Sequence, residues 1–130
     1  MKKDIELPKV TDITVAIIPA DEMLWDVYLI NEKTEDINNI IVNCKGFGER
    51  NGEKVETSQM RYFIEKVKAN TAVKVEPIAV ELFDLTHQYW ISFQHNGTML
   101  DKKYIFEKGT LSENNFSNIP FLETKGVMIK

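Results

Sequence analysis

The sequence predicts an all-β protein: mainly an antiparallel, immunoglobulin-like β-sandwich of about seven strands, with at most one or two short helical turns. Runs rich in β-branched and aromatic residues recur along its 130 residues, and turn-forming residues separate them. One separator is Asn96-Gly97, the strongest short-range signal of a β-hairpin. The frequency of turn signals favours a sandwich over a βαβ fold.

The first part of the chain contains three strand-like runs. Residues 12–19 alternate large apolar with smaller or more polar residues and end at Pro19, and residues 24–31 place Trp25 and Leu29 on one face. The third run, 37–45, is rich in β-branched residues, which suit a half-buried pleated surface.

The middle of the chain is less regular. Residues 46–54 hold three glycines and an Asn-Gly pair, so we expect a long exposed turn. Apolar residues in 56–68 fit either a helical 3-4-3 spacing or a strand, and we favour a strand because β structure surrounds the segment. We expect residues 71–76 to form a strand that ends at Pro77. We expect residues 78–86 to form a short crossover with one helical turn.

The clearest element is a hairpin of residues 87–95 and 98–108. With Asn96-Gly97 as a two-residue turn, Phe93 faces Leu100 and Tyr89 faces Tyr104. Such cross-strand pairs each add about 0.2 to 1 kcal/mol relative to an alanine pair.

The C-terminal residues carry weaker signals. Residues 112–119 resemble a loop, and 121–130 a tail that docks or frays. No repeat or linker divides the chain, so we expect one domain over 1–130, with 1–10 and 121–130 as peripheral tails.

Composition is that of an ordinary globular domain, with 43% hydrophobic and 28% charged residues. Its single cysteine, Cys44, has no intramolecular disulfide partner. The N-terminus lacks an apolar signal region, and no apolar run is long enough to span a membrane. These features favour the cytoplasm and no membrane partner. The net charge of −4 gives no general drive towards nucleic acid.

No motif predicts a catalytic residue, a cofactor or a metal. Gly46-Phe-Gly48 lacks the third glycine and the helix of a phosphate-binding loop. His87 and His95 lie about 26 Å apart along one strand, too far to share a metal. Cys44 lies among β-branched residues, so we expect it to be a small core residue.

Five basic residues are candidates for binding nucleic acid, because strands that carry lysines and aromatics can track a backbone and stack bases. They are Arg61, Lys66, Lys68, Lys102 and Lys103. The competing interpretation is an edge protected by lysines over an aromatic core.

Two family resemblances follow from particular residues. Trp25 to Asn31, Asn70 to Glu76 and Tyr89 to Phe93 are similar to the β-sandwich domain that precedes the Smr domain in certain bacterial proteins, over about residues 13–107.

The second resemblance spans almost the whole chain. It rests on Lys2 to Ile5 with Pro8, Val27 to Asn31, Met60-Arg61, Asp101 to Lys103, and Ile119-Pro120 with Gly126-Val127. These motifs resemble a family of short bacterial proteins often labelled phenylalanine–tRNA ligase α subunits. This resemblance implies a connection with translation and no site residues.

Three functions therefore remain open. The first is a non-enzymatic interaction or assembly module with a protein partner, using strand edges and the 46–54 turn. The second is an RNA- or tRNA-associated accessory protein, and the third an enzyme with an unrecognised site. A homodimer formed through a strand edge is compatible with the sequence.

Overall fold

The computed structural model describes residues 9–130, which form ten strands and two short 3₁₀ turns, Val80–Leu82 and Glu113–Asn115. Most of the expected N-terminal tail and the Lys2 to Pro8 part of the family resemblance lie outside the described residues. The strands are β1 (Ile13–Pro19), β2 (Leu24–Asn31), β3 (Ile37–Arg50), β4 (Glu53–Glu56), β5 (Met60–Val67), β6 (Thr71–Ala79), β7 (Thr86–His95), β8 (Thr98–Phe106), β9 (Ser117–Ile119) and β10 (Thr124–Ile129).

These strands form two antiparallel sheets of five strands each. Sheet I has the order β6-β2-β1-β10-β9. Sheet II has the order β4-β3-β7-β8, and β5 also pairs with β3, which is long enough to carry both β4 and β5. The predicted all-β sandwich is confirmed, with ten strands rather than seven.

The main core lies between the two sheets. Its largest fully buried side chains include Tyr89, Phe93, Tyr104 and Phe106 of sheet II, which pack with the apolar residues of sheet I. The Tyr104 hydroxyl donates a buried hydrogen bond of 2.6 Å to the Ile13 carbonyl oxygen, so a polar contact links the two sheets inside the core.

The outer faces of the two sheets differ. On sheet I a second apolar cluster buries Ala16, Ile18, Ile30 and Ile119. On sheet II, by contrast, large apolar side chains remain exposed, which is typical of a binding surface.

The predicted hairpin is confirmed with its register. Strands β7 and β8 are joined through Asn96 and Gly97, both at positive φ, and Tyr89 pairs with Tyr104 and Phe93 with Leu100. The strand interpretation of 56–68 is also confirmed, by β5.

The prediction of a long turn at 46–54 is wrong. Strand β3 continues to Arg50, and only Asn51 and Gly52 form the turn to β4. A Cβ on Gly46 would lie 3.0 Å from a ring carbon of His87, and one on Gly48 would lie 3.1 Å from Leu85 Cδ2. These two glycines therefore allow close packing inside the sandwich, whereas the sequence pattern suggested flexibility.

Two further expectations are corrected. Pro77 does not stop β6, because β6 is an edge strand and an edge strand tolerates the missing N–H of proline. The segment 121–130 is not a peripheral tail, since β10 pairs with both β1 and β9 inside sheet I. In the described part of the chain, no helix is long and apolar enough to cross a membrane.

We expect Gly126→Ala to destabilise the protein by about 2 to 3 kcal/mol, because a Cβ there would lie 2.6 Å from the Ile17 carbonyl oxygen and would push apart two paired strands. The measurement is the midpoint of urea unfolding at unchanged slope. Ser117→Ala, at the exposed position that pairs with Gly126 on β9, is the control and should change stability by less than about 0.5 kcal/mol. Equal stability of the two variants would contradict the packing argument.

Candidate functional site

The outer face of sheet II carries a row of side chains that crosses four strands. The row follows from the register, which pairs Arg61 with Asn43, Asn43 with Trp90, and Trp90 with Lys103. Neighbouring strands lie about 4.8 Å apart, so the row spans about 14 Å.

Trp90 lies near the centre of this row and is held in one orientation. Its indole Nε1–H donates to Asp101 Oδ2 at 2.8 Å, and Lys103 Nζ lies 4.6 Å from the ring centroid, a cation–π contact. Arg61 Nε donates to Asn43 Oδ1 at 3.0 Å on the other side of the row. Trp90 nevertheless remains 39% exposed.

The row borders a shallow groove of about 300 Å³, here called the Trp90 groove. It is lined by Asn43, Cys44, Lys45, Gln59, Arg61, Gln88, Trp90 and Lys103. Three cationic side chains, Lys45, Arg61 and Lys103, therefore line the same concave surface as the indole ring.

Exposed apolar side chains flank the groove on the same face. Phe63, which is 64% exposed, pairs with Ile41 in the next row, and Ile105, 41% exposed, pairs with Gln88 on the other side. Met99 lies further along β8 and is also exposed. Exposed apolar side chains and the three cations of the Trp90 groove therefore share the outer face of sheet II.

The structure brings together only two of the five predicted nucleic-acid-binding residues, Arg61 and Lys103, which both line the Trp90 groove. Lys102 belongs to the alternate set of β8 side chains, with its Nζ 4.9 Å from the Tyr104 ring and hydrogen-bonded to the Lys130 carbonyl oxygen. Lys66 lies near the end of β5, and Lys68 in the turn that follows it.

A second concavity, here called the Glu76 cleft, opens between the sheets and has a volume of about 220 Å³. A β-bulge places Glu76 there. Tyr28 pairs with Lys74 but Val27 pairs with Glu76, so Val75 is the extra residue. Glu76 therefore faces the same side as the fully buried Val27, whereas regular alternation would turn it outward.

Two tyrosines hold the Glu76 carboxylate. Tyr62 donates its hydroxyl to Oε1 at 2.8 Å, and Tyr89 donates to Oε2 at 3.1 Å. Burial, the hydrogen bond to Glu76 and the charge of Glu76 together raise the pKa of Tyr62 to about 12. Burial and the same carboxylate raise the pKa of Tyr89 well above its usual value.

Cys44 and His87 line the same cleft but do not form a nucleophile–base pair. Cys44 is buried, and burial together with the charge of Glu76 raises the pKa of its thiol, which keeps it protonated and unreactive. His87 Nε2 lies 2.7 Å from the Leu82 carbonyl oxygen, which can only accept, so this nitrogen carries the proton. The prediction that Cys44 is a core residue is confirmed by its burial.

His95 has a separate partner, Glu35, at 2.7 Å, and this hydrogen bond is the main cause of the lowered pKa of the Glu35 carboxyl. Within residues 9–130 no group of three or more histidine, cysteine or carboxylate side chains is arranged to hold a metal ion.

Comparison of the chain with protein-family models, curated proteins and solved structures gives no significant match.

We expect Glu76→Gln to lower the pKa of Tyr62 from about 12 towards its ordinary value of about 10. The carboxylate favours the protonated phenol through both its charge and its acceptor oxygen, and the amide removes the charge. Burial, the largest cause, remains, so the pKa stays above its ordinary value. The measurement is tyrosinate absorbance against pH, with Tyr62→Phe identifying the contribution of Tyr62. An unchanged pKa in Glu76→Gln would contradict the described contact.

Proposed function

We propose that this protein is a non-enzymatic binding module that recognises an acidic segment of a partner protein on the outer face of sheet II. The observation that supports the proposal most strongly is the exposed Trp90 at the centre of a groove that also holds Arg61, Lys45 and Lys103. Tryptophan and arginine are the residues most enriched among those that dominate the affinity of protein interfaces.

The conformation of the face favours binding. Trp90 is fixed by its bond to Asp101 and by Lys103, so little side-chain entropy is lost when a ligand contacts it. An extended segment rises about 3.3 Å per residue, so four or five residues would cover the 14 Å row. Phe63 and Ile105 supply apolar contact area on either side.

Charge supports an acidic ligand. Among the residues that the structure describes, none of Lys45, Arg61 and Lys103 forms an ion pair. The groove therefore has a local positive charge on a protein whose net charge is −4. Carboxylates of a partner would complement these cations and would steer its approach.

An RNA-associated function is supported less well by the same residues. Single-stranded nucleic acid is bound along a groove whose cations follow several successive phosphates. Here three cations line one short groove beside a tryptophan, and carboxylates such as Asp101 and Glu65 interrupt the same face. RNA binding is therefore an outcome that the experiment must distinguish from peptide binding.

The proposal predicts that a displayed library of random seven-residue peptides, selected on the full chain, yields sequences enriched in aspartate and glutamate. Trp90→Ala should weaken the selected peptides about 30-fold, since truncating a dominant interface residue costs about 2 kcal/mol. Arg61→Ala with Lys103→Ala should weaken binding and reduce its dependence on salt. Affinities are measured by isothermal calorimetry.

The control variants are Phe121→Ala, an exposed aromatic outside sheet II, and Lys125→Ala on β10. Both should bind the peptides as the wild type does. Peptides without acidic enrichment, or equal binding by Trp90→Ala, would refute the proposal. Salt-sensitive binding of single-stranded RNA in the absence of peptide binding would instead support the RNA-associated function.

A further inference from the structure

We infer that the Glu76 cleft binds a small organic cation that carries N–H donors on a short apolar chain, of which a primary alkylammonium is the simplest. The inference concerns the interior side of sheet II and goes beyond the proposed function of its outer face. It rests on a carboxylate without an ion-pair partner in the described residues, its remaining acceptor positions, and the apolar walls around it.

The charge of Glu76 favours a cationic ligand. Glu76 is half-buried between the sheets, and in residues 9–130 no lysine, arginine or histidine forms an ion pair with it. A carboxylate that is partly removed from water loses some of its hydration, and here two neutral hydroxyls replace part of it without neutralising the charge. A bound cation would supply the missing charge.

The hydrogen bonds of the Glu76 carboxylate favour a ligand with N–H donors. Each carboxylate oxygen can accept two hydrogen bonds, and here each receives one, from Tyr62 and from Tyr89. One acceptor position on each oxygen is therefore left for donors from a ligand. An ammonium group, with three N–H donors and no acceptor, matches these positions.

The walls of the cleft favour a ligand with a short apolar chain. Apolar side chains line the cleft beside the carboxylate, among them Met60, Pro77, Ile78 and Leu82. Met60 is 47% exposed, whereas Ile78 is buried, so the wall extends from the surface inward. A volume of about 220 Å³ lies below the range of pockets that hold drug-sized molecules, which indicates a ligand with a few heavy atoms.

A metal ion fits this site less well. Glu76 is the one carboxylate among the residues that line the cleft, the Cys44 thiol is protonated, and Nε2 of His87 is engaged with Leu82. Divalent cations prefer several oxygen, nitrogen or thiolate ligands. The donor set therefore selects an organic cation with its own N–H groups.

The test is a titration of the full chain at neutral pH with n-butylammonium chloride, followed by the methyl resonances of Met60 and Ile78 in ¹H–¹³C NMR spectra. We expect saturable shifts of both methyl groups. The uncharged n-butanol has the same apolar chain and should bind at least 10-fold more weakly. Glu76→Gln, which keeps the side-chain shape and removes the charge, should weaken butylammonium binding at least 10-fold.

The matched control is Glu65→Gln, an exposed carboxylate on the outer face of β5, which should bind butylammonium as the wild type does. Equal affinities for butylammonium and butanol in the wild type would overturn the inference, and this comparison needs no variant. Unchanged binding by folded Glu76→Gln, or an absence of shifts at Met60 and Ile78, would also overturn it. None of these results depends on whether an acidic peptide binds the outer face.

Discussion

The alternation of side chains along β7 is the constraint on which the rest of the structure depends. Tyr89, Ile91 and Phe93 fill the core, so the residues between them must point outward. The Asn96-Gly97 turn fixes the register of β8 against β7, which places Lys103 opposite Trp90 on the outer face. A slip of one residue would exchange the two faces, burying Trp90 and exposing the core. Core packing and the Trp90 groove are thus consequences of one register.

The Glu76 cleft is the exception to that alternation. The bulge at Val75 moves a carboxylate from the solvent side of β6 to the inner side, against the ordinary preference for apolar residues there. Tyr62 and Tyr89 accommodate it because their hydroxyls reach both carboxylate oxygens from sheet II. Bulges next to binding sites commonly re-aim a side chain in this way.

The sequence predicted the elements that local signals specify and missed those that depend on contacts with distant parts of the chain. The β7–β8 hairpin was predictable, because turn chemistry and alternation agree there. The glycines at 46 and 48 were misread, because a glycine required by close packing looks the same in sequence as one required by a turn. Strand β10 was missed because its strength comes from pairing with β1, which lies more than 100 residues away in the chain.

The candidate sites were predictable only in part. Arg61 and Lys103 were identified from charge, but they line one groove only because β3 and β7 pair side by side between β5 and β8. The outward orientation of Trp90 follows from the predicted hairpin once Tyr89 is assigned to the core, because neighbouring residues of a strand face opposite sides. The sequence therefore contained enough information to place Trp90 on the outer face. Glu76 could not be found, since the alternation of Val73 and Val75 predicts that it points outward and gives no sign of the bulge.

The most direct test of the central claim is the fluorescence of Trp90 in a Trp25→Phe variant, which removes the second indole and keeps an aromatic ring beside Phe83 and Phe116. The probe is a glutamate-rich heptapeptide with one central phenylalanine, and the control is the same peptide with lysine in place of glutamate. A saturable change in Trp90 emission with the acidic peptide alone, lost when Arg61 and Lys103 are replaced by alanine, is the predicted result. No change with the acidic peptide, or the same change with both peptides, would contradict the assignment of the outer face of sheet II as a site for acidic protein segments.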